Sequence, residues 1–148
     1  MNKNIVEILF VEDDPEDAEL TIRYLKKNHL TNNLVHVRNG EEALDFLFAT
    51  GRFADRMHIS YAPKLILLDI QMPKINGIEV LQRIRANDKT KKIPVVMLTS
   101  SNQAPDIYKC YDLGANSYIV KPVEFDKLVE AIKTIGLYWL SLNQTPAK

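Results

Sequence analysis

Short continuous apolar runs alternate along this chain with stretches whose apolar residues recur every three or four positions. Residues 5–11, ending in the run Ile8 to Val11, read as a strand, and 15–28 as a helix with Ala18, Ile22 and Leu25 on one face. Leu34 to Val37 reads as a second, shorter strand, and after Gly40 a helix covers 41–49. A longer irregular stretch, about 50–63, leads into a strand at 65–69. Asn76 and Gly77 open a helix carrying Ile78, Leu81 and Ile84 at helical spacing. Residues 93–98 read as a fourth strand, 104–113 as a helix stopped at Gly114, and 117–120 as a fifth strand. The last helix carries Phe125, Leu128, Val129, Ile132 and Ile135 on one face. The strand runs are apolar without alternation, as expected for strands covered on both sides.

Such β-α pairs with short connections predict an α/β fold with a doubly wound, five-stranded parallel sheet. Right-handed crossovers give the flavodoxin-like strand order 2-1-3-4-5. That order gathers the carboxyl ends of strands 1, 3, 4 and 5, where open α/β sheets place their ligand sites. The residues there are Glu12, Asp13 and Asp14, then Asp69, then Thr99, Ser100 and Ser101, then Lys121 and Pro122. Asp14 before Pro15 reads as a helix N-cap, which accounts for one acid. Capping leaves Glu12, Asp13 and Asp69 unexplained. Clustered carboxylates repel, so they need protons or a divalent cation, and an all-oxygen set suits Mg²⁺. With a hydroxyl and an ammonium beside them, they compose a phosphoryl site in which a carboxylate oxygen of Asp69 attacks phosphorus.

Composition narrows this little. The 148 residues suit one domain, and Lys+Arg equals Asp+Glu at 19 each, so no net field points to nucleic acid or a membrane surface. The basic stretch Lys89 to Lys92 reads as a solvated loop. A single cysteine, Cys110, excludes an intramolecular disulfide and fits a reducing compartment. No stretch has the length of a membrane helix, and the first apolar run ends at once in three acids, unlike a signal peptide. A cytoplasmic protein is expected.

These motifs in this order resemble the receiver domain of two-component response regulators. The resemblance rests on Val11 to Asp13, on Leu68 to Pro73 with Gly77, on Leu98 to Ser100, on Gly114 and Ala115, and on Tyr118 to Pro122. It covers residues 7 to about 136. It implies that Asp69 accepts a phosphoryl group from the phosphohistidine of a sensor histidine kinase. It further implies a Mg²⁺ held by Asp13 and Asp69, by Glu12 mostly through water, and by the backbone carbonyl of Gln71. Thr99 and Lys121 correspond to the residues that hold the phosphoryl oxygens. Lys121–Pro122 corresponds to a cis peptide, and Tyr118 to the aromatic that moves as Thr99 closes on the phosphoryl group. Gln71 and Ser101 stand where receivers control the access of water, which implies a moderately short-lived phosphoaspartate.

The resemblance implies no enzyme beyond self-phosphorylation and self-hydrolysis. No effector domain follows, so the expected output is a partner protein, onward phosphotransfer or phosphate storage. A phosphatase of the haloacid dehalogenase class would need a second aspartate where Gln71 stands. A flavodoxin-like cofactor binder would need a phosphate cradle where Glu12, Asp13 and Asp14 would repel one. A degenerate receiver, binding partners without phosphate, would have lost the acceptor, the acids or the lysine. The insertion with Phe53 to Tyr61, within 50–63, and the extension at 137–148 resemble single-domain regulators associated with bacterial phytochromes. The insertion reads equally as a kinase-recognition element or a tolerated loop. Tyr138, Trp139 and Leu140 read equally as a homodimer anchor or as a cover for their own core.

Overall fold

The computed structural model describes residues 8–30, 33–58, 62–122 and 124–137, with side chains at 56–58 and 135–137 left aside. The elements are β1 (Ile8–Val11), α1 (Pro15–Lys27), β2 (Leu34–Val37), α2 (Gly40–Phe48), β3 (Leu65–Leu68), α3 (Gly77–Ala86), β4 (Val95–Thr99), α4 (Ala104–Asp112), β5 (Ser117–Val120) and α5 (Phe125–Leu137). All strands pair in parallel in the order β2-β1-β3-β4-β5, as the sequence predicts.

Alternation along the strands builds two apolar layers. Leu9, Val11, Ile66, Leu68, Val95 and Met97 face a layer filled by Ala43, Phe46, Val80, Leu81, Ile84 and Cys110 from α2, α3 and α4. Ile8, Phe10, Leu65, Leu67, Val96 and Leu98 face Ala18, Leu25, Leu128 and Ile132 from α1 and α5. β1, β3 and β4 are buried throughout, which is why they lack a polar face. The predicted face of α5 is buried at Leu128, Val129 and Ile132, and Phe125 stacks on Tyr24 of α1 at 4.2 Å between ring centroids.

Two predicted segments differ. β4 starts at Val95 rather than at 93, because Pro94 has no N–H and the Ile93 N–H closes a turn onto the Thr90 carbonyl at 3.0 Å. Within the stretch read as irregular, Gly51–His58 forms a 3₁₀ segment kinked at Phe53. Phe53 meets Phe46 of α2 edge to face at 5.1 Å, so part of the insertion is docked on the first of these layers, beside α2. The strand positions predicted before Ile8 and the aromatic extension at 138–148 lie outside the described residues.

Cys110 is fully buried, and burial, then the charge of Asp106, pushes its thiol up to about 11. The folded state therefore holds this proton more tightly than the unfolded chain, and the associated stability is lost as pH rises from about 9 to about 11. At pH 8 the native protein should be alkylated at least about a hundredfold more slowly than in denaturant, since only the thiolate reacts. Equal labelling rates by a thiol reagent would contradict this burial.

Candidate functional site

Strand register assembles the site. Val11 lies opposite Leu68, Leu68 opposite Met97, and Thr99 opposite Val120. The ladder then continues past the strands. The Glu12 N–H donates to the Val37 carbonyl at 3.0 Å, the Asp69 N–H to the Val11 carbonyl at 3.2 Å, and the Lys121 N–H to the Thr99 carbonyl at 2.7 Å. Glu12, Asp69, Thr99 and Lys121 are thus locked on one sheet edge by backbone bonds.

Oxygens of Glu12, Asp13 and Asp69 come within 4.8 Å of one another. Glu12 and Asp69 are buried and Asp13 is exposed. Asp14 stands apart from them as the N-cap of α1, its carboxylate accepting the N–H groups of Glu16 and Asp17. Lys121 supplies the cation: its Nζ lies 2.6 Å from Glu12, 3.0 Å from Asp17 and 3.6 Å from Asp69. Burial, reinforced by the charge of Asp69, raises the Glu12 carboxyl to about 7 although Lys121 pulls it down. Burial also opposes the charge of Lys121, but hydrogen bonds to Glu12 and Asp17 outweigh it and raise its pKa. Desolvation wins on the acid, and ion pairing wins on the base.

Glu12 already has both oxygens engaged, one by Lys121 and one by the Asp14 N–H at 3.2 Å. Asp69 is held more loosely, by the Gln71 N–H at 3.3 Å and the Lys121 ammonium at 3.6 Å. An all-oxygen set of three carboxylates, two of them buried, fits a hard divalent cation that keeps several waters. Among the described residues, Glu12, Asp13 and Asp69 are the acids placed to hold it.

The remaining predicted residues meet on the two connections beside this edge. Gln71 donates its N–H to Asp69 Oδ1 at 3.3 Å, and its side-chain oxygen accepts from the Ser100 hydroxyl. Thr99 is fully buried, and its hydroxyl accepts the Ser101 N–H at 3.3 Å. Ser101 turns its own hydroxyl to Asp106 of α4 at 2.5 Å. Tyr118 is half-buried and donates its hydroxyl to the Ser101 carbonyl at 2.9 Å. Burial, partly offset by that bond, raises the phenol's pKa. Thr99 and Tyr118 therefore hold the same loop residue, one through its N–H and one through its carbonyl. The Lys121–Pro122 peptide is cis.

Three contributors escape a reading of the sequence. Asp17 has the ordinary look of an acid in the first turn of a helix, which complements the dipole by itself. His36 donates from Nε2 to the Glu12 carbonyl at 2.8 Å, the carbonyl being able only to accept, and its ring lies 5.5 Å from Phe10. Asp106 shows itself only through Ser101. No local pattern marks any of them.

A doubly wound sheet with an acidic, cation-competent cluster and a half-buried lysine at its switch-point edge defines a class of α/β protein that handles charge at the strand ends. The chain belongs to the response regulator receiver domain family, whose model matches residues 8–133. It is similar to the bacteriophytochrome response regulator RtBRR, at 47% identity over 96% of this chain and 84% of that one, with a TM-score of 0.80. The phosphorylated cyanobacterial phytochrome response regulator RcpA is 36% identical, covering 97% of this chain and 99% of its own, with a TM-score of 0.77. Response regulator Rcp1 of Synechocystis sp. is 36% identical over 140 residues, 95% of this chain and 92% of Rcp1. A Mn²⁺-bound form of Rcp1 superposes with a TM-score of 0.76 at 35% identity, covering 96% of this chain and 99% of its own.

Proposed function

We propose that residues 1–148 form a single receiver unit that accepts a phosphoryl group on Asp69 from a histidine kinase and signals through a switched protein surface. The observation that carries this is the convergence of Glu12, Asp13 and Asp69 within 4.8 Å, with the Lys121 ammonium 3.6 Å from Asp69. A carboxylate oxygen of Asp69 forms the new bond to phosphorus as the P–N bond of the phosphohistidine breaks. The electron pair stays on the imidazole nitrogen, which takes up a proton. Mg²⁺, held by Asp13, Asp69 and the Gln71 carbonyl with Glu12 behind a water, would supply charge neutralisation on the phosphoryl oxygens. Thr99 and Lys121 then contact those oxygens.

The switch follows from the shared loop residue. Movement of the Thr99 hydroxyl toward a phosphoryl oxygen gives up the Ser101 N–H. Tyr118 and α4 both hang on Ser101, so the change reaches a surface where Tyr108, Tyr111 and Val120 are exposed. A downstream protein would read that surface. Likeness to the bacteriophytochrome response regulator RtBRR and the phytochrome response regulator RcpA supports a phytochrome-type kinase as the donor. Self-association through the extension at 137–148 belongs to the same proposal, as does a cytoplasmic setting. Among the described residues no helix is long and apolar enough to cross a membrane.

The test is intact-protein mass after incubation with acetyl phosphate and Mg²⁺, beside a chelator control. One phosphoryl adduct, lost with chelator, is expected. No adduct under any condition would overturn the proposal in favour of a phosphate-independent binding module.

A further inference from the structure

Lys121 is shared among three carboxylates, and the acceptor is the most distant. An ammonium has three N–H donors. One bonds Glu12 at 2.6 Å and another Asp17 at 3.0 Å, whereas Asp69 lies at 3.6 Å, within ion-pair reach only. Asp17 lies in the first turn of α1 and is absent from the motifs that carry the receiver resemblance. Capping of that helix already falls to Asp14. Among the described residues, the Asp17 carboxylate is committed to Lys121 alone.

We propose that Asp17 is a positioning residue for Lys121, holding its ammonium toward α1 while Asp69 is free and competing with the phosphoryl group for it afterwards. This inference rests on the receiver reading of Asp69. A phosphoryl group on Asp69 adds about two negative charges within reach of the ammonium. The third N–H is uncommitted, but the ammonium must move closer to Asp69 to use it, and that movement lengthens one of its two present bonds. Glu12 is 1% exposed, and stripping the cation from a buried carboxylate is strongly unfavourable. Asp17 has a side chain 42% exposed, so water replaces the lost partner at little cost. Asp17 is therefore the partner released. Its release also unhooks α1 from the connection between β5 and α5, beside a small cleft lined by Leu20, Thr21, Pro122 and Phe125.

The experiment uses beryllofluoride with Mg²⁺ as a stable stand-in for the phosphoryl group, its affinity read by calorimetry. Asp17→Asn should bind it about two- to fivefold more tightly than the parent, the range expected for a half-exposed ion pair. Asp17→Glu, which restores the carboxylate, should return toward the parent. Glu16→Gln removes the same charge from the same turn without touching Lys121, and should leave the affinity within about 1.5-fold, because exposed charges are well screened. In a Lys121→Gln background, Asp17→Asn should have no effect, which separates action through the lysine from a general field effect.

Unchanged or weaker binding by Asp17→Asn would overturn the inference. So would equal tightening by Glu16→Gln, or tightening that persists without Lys121. In those cases the parent still binds beryllofluoride and the receiver reading stands. Failure of the parent to bind it at all with Mg²⁺ would overturn both.

Discussion

Asp69→Asn should take up no phosphoryl group from acetyl phosphate, with the adduct below detection in an intact mass spectrum, while the protein stays folded. Asparagine keeps the volume of the side chain at a site that is 4% exposed, and keeps an oxygen to accept the Gln71 N–H now bonded at 3.3 Å. It lacks the anionic oxygen that attacks phosphorus. The cluster loses one of three carboxylates, and Lys121 retains Glu12 and Asp17. The charge of Asp69 is one of the forces, after burial, that push Glu12 up to about 7, so in the variant Glu12 should titrate lower. Relief of repulsion should leave the metal-free melting temperature unchanged or raise it by a few degrees, the shift that about 1 kcal/mol produces in a domain of this size. Added Mg²⁺ should stabilise the parent more than the variant. A phosphoryl adduct on the variant would move the acceptor elsewhere. A clear fall in melting temperature without Mg²⁺ would mean that Asp69 holds the fold together rather than straining it.

Gly77→Ala should be the most disruptive small substitution near the site. A Cβ at Gly77 would stand 1.9 Å from the Asp69 carbonyl oxygen, 2.7 Å from its carbonyl carbon and 2.8 Å from the Ile70 Cα. All three are backbone atoms, so no rotamer change relieves the contact. The Gly77 N–H also donates to the Ile70 carbonyl at 2.9 Å, which draws the start of α3 against the segment just past β3. Accommodating a methyl group therefore displaces the backbone that carries Asp69 and Gln71. The expected cost is about 3 kcal/mol or more, large against a typical total of about 5–15 kcal/mol. Phosphorylation should fall at least about tenfold even at temperatures where the variant is fully folded, because positioning on an ångström scale is lost. Denaturant unfolding and the rate of acetyl phosphate labelling check the two halves separately. A loss under 1 kcal/mol with normal labelling would show that the connection yields freely.

The elements most legible in the sequence were those whose residues answer to local chemistry alone. β1, β3 and β4 stand out because strands buried on both faces carry uninterrupted apolar runs, and Asp14 with Pro15 marks the start of α1 through capping. The acids at the ends of β1 and β3 stand out because nothing local explains them. At Pro94 and Phe53 the structure departs from the sequence pattern for opposite reasons. Pro94 shortens β4 through a missing N–H that was visible in the sequence. Phe53 orders a stretch that looked irregular, through a ring contact with Phe46 that no local pattern records.

By itself, then, the sequence determined where the strands lie and which acids, hydroxyl and lysine follow them, since periodicity suffices for that, while crossover handedness narrows the strand orders to a few that include the one observed. Only the tertiary structure decided how these groups share their charges. Asp17 reaches Lys121 across 104 residues and His36 reaches the Glu12 carbonyl across 24. Ser101 faces Asp106 while lending its N–H to Thr99 and its carbonyl to Tyr118. Such pairings depend on distances between separate elements and on how far each group is buried, and neither quantity is written in the neighbouring residues.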